Sequence, residues 1–327
     1  MIQSSPARAE QSYRHEAFLW HDRADYIDGL VPFISEGLAA GEPVMVSTMA
    51  EHTDWLRDAL GPEAGNVSFI DLAELGRNPA KIIPAWQKFL DSEAGDSRPV
   101  RGVGEPIWAD RGTDELIECQ LHEALLNVAV DPTTPFWLVC PYDAERLDPA
   151  VIDEAYRSHP VLIEADVYKG STQYAGRAHL EVMLGSELPT LAGEPTTIPF
   201  HAKNINRLAR FLKLEGHVAG LALRQATDLA SATQGLAAGS LQRGATAGVI
   251  RIWRQPRSVV YEIVDDTYID DPLAGRRAPL VDSADALWTA NQLCDLVQLR
   301  SVPAGTIVRL HAYRCHAPSS SGVGNSR

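Results

Sequence analysis

Between His15 and Pro160, short apolar runs alternate with longer amphipathic stretches, and no other feature of the chain narrows its fold as far. The runs are Ala17 to Trp20, Pro43 to Ser47, Val67 to Asp71, Val100 to Gly104 and Phe136 to Cys140. The stretches between and after them predict helices over 24–39, 49–59, 79–92, 114–128 and 149–157. Strands joined through helices of this length need crossover connections, which set the strands parallel and cover both faces of the sheet. The segment Ala39-Ala40-Gly41-Glu42-Pro43 is a helix stop followed at once by a strand start. The first part of the chain therefore reads as an α/β domain around a mostly parallel sheet.

A chain of 327 residues, 45% of them hydrophobic, has room for two such cores. Residues 15–163 make the first domain. The next stretch, 164–197, is rich in glycine and proline with little periodicity and reads as a linker, with a short helix conceivable over 178–184. From Ile198 to residue 314 the order changes to a short strand, helices near 205–214 and 222–242, strands over 248–254 and 258–265, a helix over 284–297 and a last strand over 306–313. Helices grouped beside an antiparallel meander predict an α+β sandwich. The ends, 1–14 and 315–327, are too poor in apolar residues to offset ordering entropy and are expected to be disordered.

With 29 Lys and Arg against 43 Asp and Glu, the formal charge is −14, which repels a phosphate backbone and an anionic lipid surface alike. Nucleic acid and membrane are not expected partners. No run reaches the roughly 20 apolar residues of a bilayer span, and the first 14 residues lack a signal-peptide core, so a cytoplasmic location is expected. Cys119, Cys140, Cys294 and Cys315 form no Cys-x-x-Cys pair and read as small buried residues, with neither a disulfide framework nor a zinc site.

Candidate ligand residues of the first domain follow from where an open α/β sheet opens its crevice, outside the carboxyl ends of its strands. Glu105 and Trp108 follow one strand and Tyr142 and Asp143 another, while Cys119, His122 and Glu123 share one helix face and His15 opens the first strand. Glu105, His122 and Glu123 could act as acid, base or metal ligands, or form a buried hydrogen-bonded network; no metal is expected. The phosphate loop Gly-x-x-x-x-Gly-Lys-Ser/Thr is absent, and Gly102-Val103-Gly104 reads as a tight strand end. The motifs Leu72 to Pro79, Gly102 to Trp108, Glu118 to Asn127 and Cys140 to Asp143, with Leu30 to Val46, resemble the MEDS sensory domain. That resemblance implies a RecA-like fold and a sensor of an unknown small ligand.

In the second domain, Ile269 to Arg277, Leu287-Trp288, Asn291 to Gln298 and Pro303 to Leu310 resemble anti-sigma kinases of the RsbW type, in the GHKL ATPase class. Such kinases carry a helical Glu as base and, four residues on, an Asn for magnesium; an Asp-x-Gly then meets adenine and a glycine-rich lid covers the phosphates. Here those positions hold Gly235 and Gly239, Asp265 with Thr267 in place of the glycine, and Ser283-Ala284-Asp285-Ala286 in place of the lid glycines and arginine. Base and metal ligand are missing, Asp285 would repel a triphosphate, and two glycines are expected to loosen the helix. The resemblance thus implies a GHKL-type fold without catalytic residues, no confident cofactor, and at most residual ATP binding through Asp265 without magnesium.

A sensory domain followed by such a domain is the layout of RsbA-type anti-sigma regulators. It implies a regulator that binds a sigma factor or its STAS-type antagonist. Two alternatives stand beside it: a working serine/threonine kinase of the RsbW type, and a sensor whose second domain only dimerises.

Overall fold

A computed structural model describes residues 12–93, 98–165, 167–246, 248–279 and 285–314; of the ends expected to be disordered, 1–11 and 315–327 lie outside them, as do Cys315 and the expected lid positions Ser283 and Ala284, whereas Arg14, expected in the disordered end 1–14, opens a strand. The chain forms two compact units. The first is built from the chain up to Pro189 together with Ile269–Ser283, the second from Thr190–Tyr268 and the chain from Ala284 on.

In the first unit the order is β1 (Arg14–Trp20), α1 (Arg23–Ala39), β2 (Val44–Thr48), α2 (Ala50–Leu60), β3 (Ser68–Asp71), α3 (Leu72–Leu75), α4 (Ile82–Glu93) and β4 (Val100–Gly104). There follow α5 (Thr113–Ala129), β5 (Phe136–Asp143), α6 (Pro149–Ser158), β6 (Val161–Glu164), β7 (Val167–Gly170) and α7 (Gly176–Gly185). The sheet order is β3-β2-β4-β5-β1-β6-β7, with β7 antiparallel to β6 and the other pairings parallel. Crossover connections produce this, as the alternation of runs predicts. Gly41 at φ 73° turns the chain out of α1 and into β2, a conformation only glycine adopts freely.

Strand alternation divides the side chains between two cores. Ala17 and Leu19 of β1 face a core with α4 to α7, while Phe18 and Trp20 face one with α1 and α2. Gly102 and Gly104 are residues of β4, Gly104 the last of the strand as the reading of a strand end expects, and both lie against Trp86. A Cβ on Gly102 would sit 2.9 Å from the Trp86 ring and one on Gly104 3.2 Å from it.

The stretch read as a linker is structured over much of its length. Hairpin strand β7 pairs with β6, and α7 buries Leu180 in the core beside α5 and α6, so the first unit runs 26 residues past the boundary at 163, to Pro189. The segment from Ile269, which the RsbW-type resemblance assigns to the second domain, packs in the first unit instead. Leu273 is buried in its core, and Arg276 reaches Glu118 of α5 at 3.0 Å.

The second unit contains β8 (Thr196–Phe200), α8 (Ile205–Val218), α9 (Leu223–Gln242), β9 (Gly248–Arg254), β10 (Ser258–Asp265), α10 (Ala286–Leu293), β11 (Leu296–Val302) and β12 (Gly305–Tyr313). Its sheet is antiparallel throughout, in the order β11-β12-β10-β9-β8. The helix expected over 284–297 is cut short. Asp285 starts it by accepting from the Leu287 and Trp288 amides, and from Leu296 the chain pairs with β12. Apolar Leu296, Val297 and Leu299 suit either element, and the pairing decides.

Candidate functional site

The eight candidate residues of the first domain do not form one site. They divide by sheet face, because Glu105 meets side chains of α1 and α2 on one face whereas Glu123 lies on α5, which packs on the other.

Glu105 follows β4 directly, fully buried at the carboxyl ends of the strands. It accepts from the Tyr26 hydroxyl at 3.2 Å, and its Oε2 lies 2.7 Å from Nδ1 of His52. Around this pair stand Trp20 at the end of β1 and Trp55 of α2, with His52 ring centroids 5.4 Å and 4.6 Å from theirs. Asp143, at the end of β5, is near enough to act electrostatically on both Glu105 and His52. Trp20, Tyr26, His52 and Trp55 escape a reading of the sequence because each lies on an apolar periodic face where it scores as core. Aromatic walls with a carboxylate at their base suit a small organic ligand with a polar or cationic group.

Burial pushes His52 down, but the hydrogen bond and charge of Glu105 more than offset this and leave it raised above 6.5. Burial raises Glu105 above 4.5, against the opposing effect of His52. Both shifts have one sign: the folded state holds protons that the unfolded chain releases. Their stabilisation is complete below the ordinary values and is lost as pH rises through the raised ones. Urea midpoints of the first unit are therefore expected to fall as pH climbs through and beyond 6.5, and His52→Gln to flatten that slope.

On the other face, Glu123 of α5 meets three residues from separate elements. Its Oε2 lies 3.0 Å from Nε2 of His15 on β1 and 3.3 Å from Nε2 of His159, which lies between α6 and β6. The Cys140 sulfur on β5 is 3.4 Å from the same His15 nitrogen. One donor atom from each of the four lies within 4.8 Å of the others, and all four residues are buried. Burial opposes ionisation of Glu123, but its contacts with both histidines outweigh it and hold the carboxyl well below its usual range. Burial also lowers His159 and raises the Cys140 thiol. His15 lines a pocket of about 320 Å³ with Tyr13, Arg14, Glu16 and Tyr168 at the amino ends of the strands. Cys140 and His159 are the missed members, since a lone Cys in an apolar run reads as core.

The remaining candidates stand apart. Tyr142 lies inside β5 with its ring edge against His159, centroids 5.6 Å apart. Cys119 accepts from Arg111 Nε at 2.8 Å, and burial pushes its thiol up to about 12. Arg111 also stacks on Trp108, 3.9 Å from the ring centroid. His122 is buried and pushed down to about 3 by that burial, so it stays neutral.

In the second unit the Asp265 carboxylate is already engaged. Ser240 donates to Oδ2 at 2.5 Å, and the amide and hydroxyl of Thr267 donate to Oδ1 at 2.8 and 2.5 Å. The two glycines have not loosened their helix, because α9 is continuous over its 20 residues. Both face α10: Cβ atoms built on Gly235 and Gly239 would lie 4.0 and 3.8 Å from Ala286, ordinary contact distances.

The first unit thus defines a class, a parallel-sheet α/β domain with one polar cluster on each face of its sheet and, in the sequence, no phosphate-binding loop. Residues 14–160 match the family model of the MEthanogen/methylotroph, DcmR Sensory domain, MEDS, which is what this part of the chain is similar to. No curated protein matches the chain. Among solved structures it is similar to the RsbU and RsbW domains of Rv1364c from Mycobacterium tuberculosis, at 13% identity and a TM-score of 0.28. That similarity covers 38% of this chain and 33% of that one, so the chain spans about a third of that structure's length. Among the described residues no helix is long and apolar enough to cross a membrane.

Proposed function

We propose that the chain is a signal-responsive regulator of sigma-factor activity, in which the MEDS domain receives the signal and the second unit acts by binding protein rather than by transferring phosphate. The sensed ligand is a small molecule held at the Glu105 cluster. The partner is a sigma factor or its STAS-type antagonist.

The observation that carries this reading is the state of the position where a GHKL-type ATPase would meet adenine. Asp265 spends both oxygens on Ser240 and Thr267, and α10 packs on α9 where the catalytic Glu and Asn would stand. An adenine amino group would have to compete for a buried carboxylate that already accepts three hydrogen bonds inside the fold. Asp285, read in the sequence as a lid residue, is the cap of α10. A protein partner is favoured by α8, whose Phe211, Leu214 and Val218 are exposed at i, i+3, i+7 spacing. Signal can reach the second unit through the chain itself. Arg276 is held by Glu118, one turn before His122 on α5, and its segment continues on either side into β10 and α10.

The test is calorimetry of ATP with and without magnesium on the full chain and on Gly235→Glu/Gly239→Asn. The expected result is no binding tighter than about 1 mM in the native chain, with or without magnesium. Magnesium-dependent binding in the micromolar range would replace this reading with an active kinase. Co-purification of a sigma factor with the native chain, weakened by Leu214→Asp, tests the partner.

A further inference from the structure

We propose that His15, Glu123, Cys140 and His159 bind a single divalent transition-metal ion, zinc foremost, as a closed four-ligand site in the core of the sensory domain. This goes beyond the regulatory reading and does not depend on it.

The argument starts from which atoms carry hydrogens. The Ser158 carbonyl can only accept, and it takes the Asn127 amide nitrogen at 2.8 Å, which turns the Asn127 oxygen toward Nδ1 of His15 at 3.2 Å. That nitrogen must therefore carry the proton. Nδ1 of His159 faces the Ala155 carbonyl at 2.9 Å and must carry one too. Both imidazoles consequently aim Nε2 inward, at a carboxylate that is itself an acceptor. With both rings neutral, three lone-pair atoms, the two Nε2 and Glu123 Oε2, converge with one weak donor available, the Cys140 thiol; a proton held between a ring and the carboxylate is the occupant that a metal ion would replace. His159 Nε2 and Glu123 Oε1 make no hydrogen bond at all, although both are fully buried.

Such an arrangement is costly as a purely protein network, because buried acceptors without donors forfeit their solvation. A cation at its centre satisfies all four donors together. Two imidazoles, a thiolate and a carboxylate are the ligand types of zinc and related metals, whereas magnesium and calcium take oxygen. Bonds of about 2.0–2.3 Å in a tetrahedron space the ligand atoms roughly 3.3–3.7 Å apart. The contacts of 3.0, 3.3 and 3.4 Å are within a few tenths of an ångström of that, and rotamer adjustment closes the longest separation of up to 4.8 Å. Asn127 and the Ala155 carbonyl fix the ring orientations from behind, as acceptors behind metal-bound histidines do. Tyr13 stacks on His15 and Tyr142 abuts His159, so the site has aromatic walls. Metal uptake releases the thiol proton to solvent and forms one bond to each of the four atoms, with no redox change.

The full chain, freed of metal with a chelator and confirmed folded by circular dichroism, is titrated with zinc and separately with cobalt(II). Expected are one ion per chain and, with cobalt, the intense visible bands of a tetrahedral site with a thiolate-to-cobalt charge-transfer band in the near ultraviolet. Cys140→Ser removes the charge-transfer band, and His159→Gln weakens binding by about 100-fold or more. Cys119→Ser, a buried cysteine outside the cluster, leaves stoichiometry and spectrum unchanged. A folded chain that takes up no stoichiometric metal overturns the proposal, as does a charge-transfer band that survives Cys140→Ser. Because Cys140→Ser is nearly isosteric, the spectral test holds even where a histidine variant fails to fold.

Discussion

Arg276→Ala is expected to destabilise the first unit by about 3 kcal/mol or more, the loss that follows when one member of a buried ion pair is removed. Arg276 is 6% exposed and donates to Glu118 at 3.0 Å, and Glu118 is wholly buried on α5. Without the guanidinium the carboxylate stays in the core and loses this charged partner, so that either it protonates or the helix shifts to reach water. The same change frees the segment from Ile269, which Leu273 and Arg276 otherwise hold in the first unit. Urea denaturation of the full chain should show the first unit's transition at lower urea, and limited proteolysis should cut between Ile269 and Pro279 at concentrations that spare the native chain. Adding Glu118→Leu to Arg276→Met should recover much of the loss, since a matched apolar pair carries no stranded charge. A shift below about 0.5 kcal/mol would mean that Glu118 holds the segment little.

The second large effect is expected at Trp86, the bulkiest fully buried side chain among the described residues. Its ring lies beneath Gly102 and Gly104 of β4 and against Phe136, with centroids 5.5 Å apart. Truncation to alanine removes a large apolar surface and leaves a cavity that a rigid β-strand cannot collapse into, for about 3–5 kcal/mol. The urea midpoint should fall with little change in slope. The converse change, Gly102→Val, presses a branched side chain onto Trp86, Phe136 and Leu138, each within 3.0 Å of the new Cβ, and should be destabilising as well. Together the two variants test whether this Gly-x-Gly serves packing.

Much of the fold is legible in the residues because it depends on local periodicity. The five runs from Ala17 to Cys140 all fall within or overlap strands, the helices between them lie within a few residues of their predicted spans, and Gly41 stops α1 where the Gly-Glu-Pro step says it should. Hydrophobic pattern, caps and turn residues act over a few positions, so they can be read without knowing the rest of the chain. Glu105, His15 and Glu123 were likewise visible as polar residues at strand ends and on one helix face. Their partners were not. His52, His159 and Cys140 lie 53 residues before Glu105, 36 after Glu123 and 125 after His15, at positions where a single His or Cys carries no spacing signal.

The sequence by itself therefore determined the mostly parallel α/β order of the first unit, the antiparallel character of the second and the missing phosphate loop. Only the tertiary structure decided that Glu105 and Glu123 serve different clusters, that four residues from three elements and the connection after α6 converge on one point, and that the segment from Ile269 belongs with the first unit. The reason is physical. Periodicity reports which face of an element is apolar, but which apolar faces meet depends on long-range packing, and a buried polar group reveals its purpose only through the partners that packing brings to it.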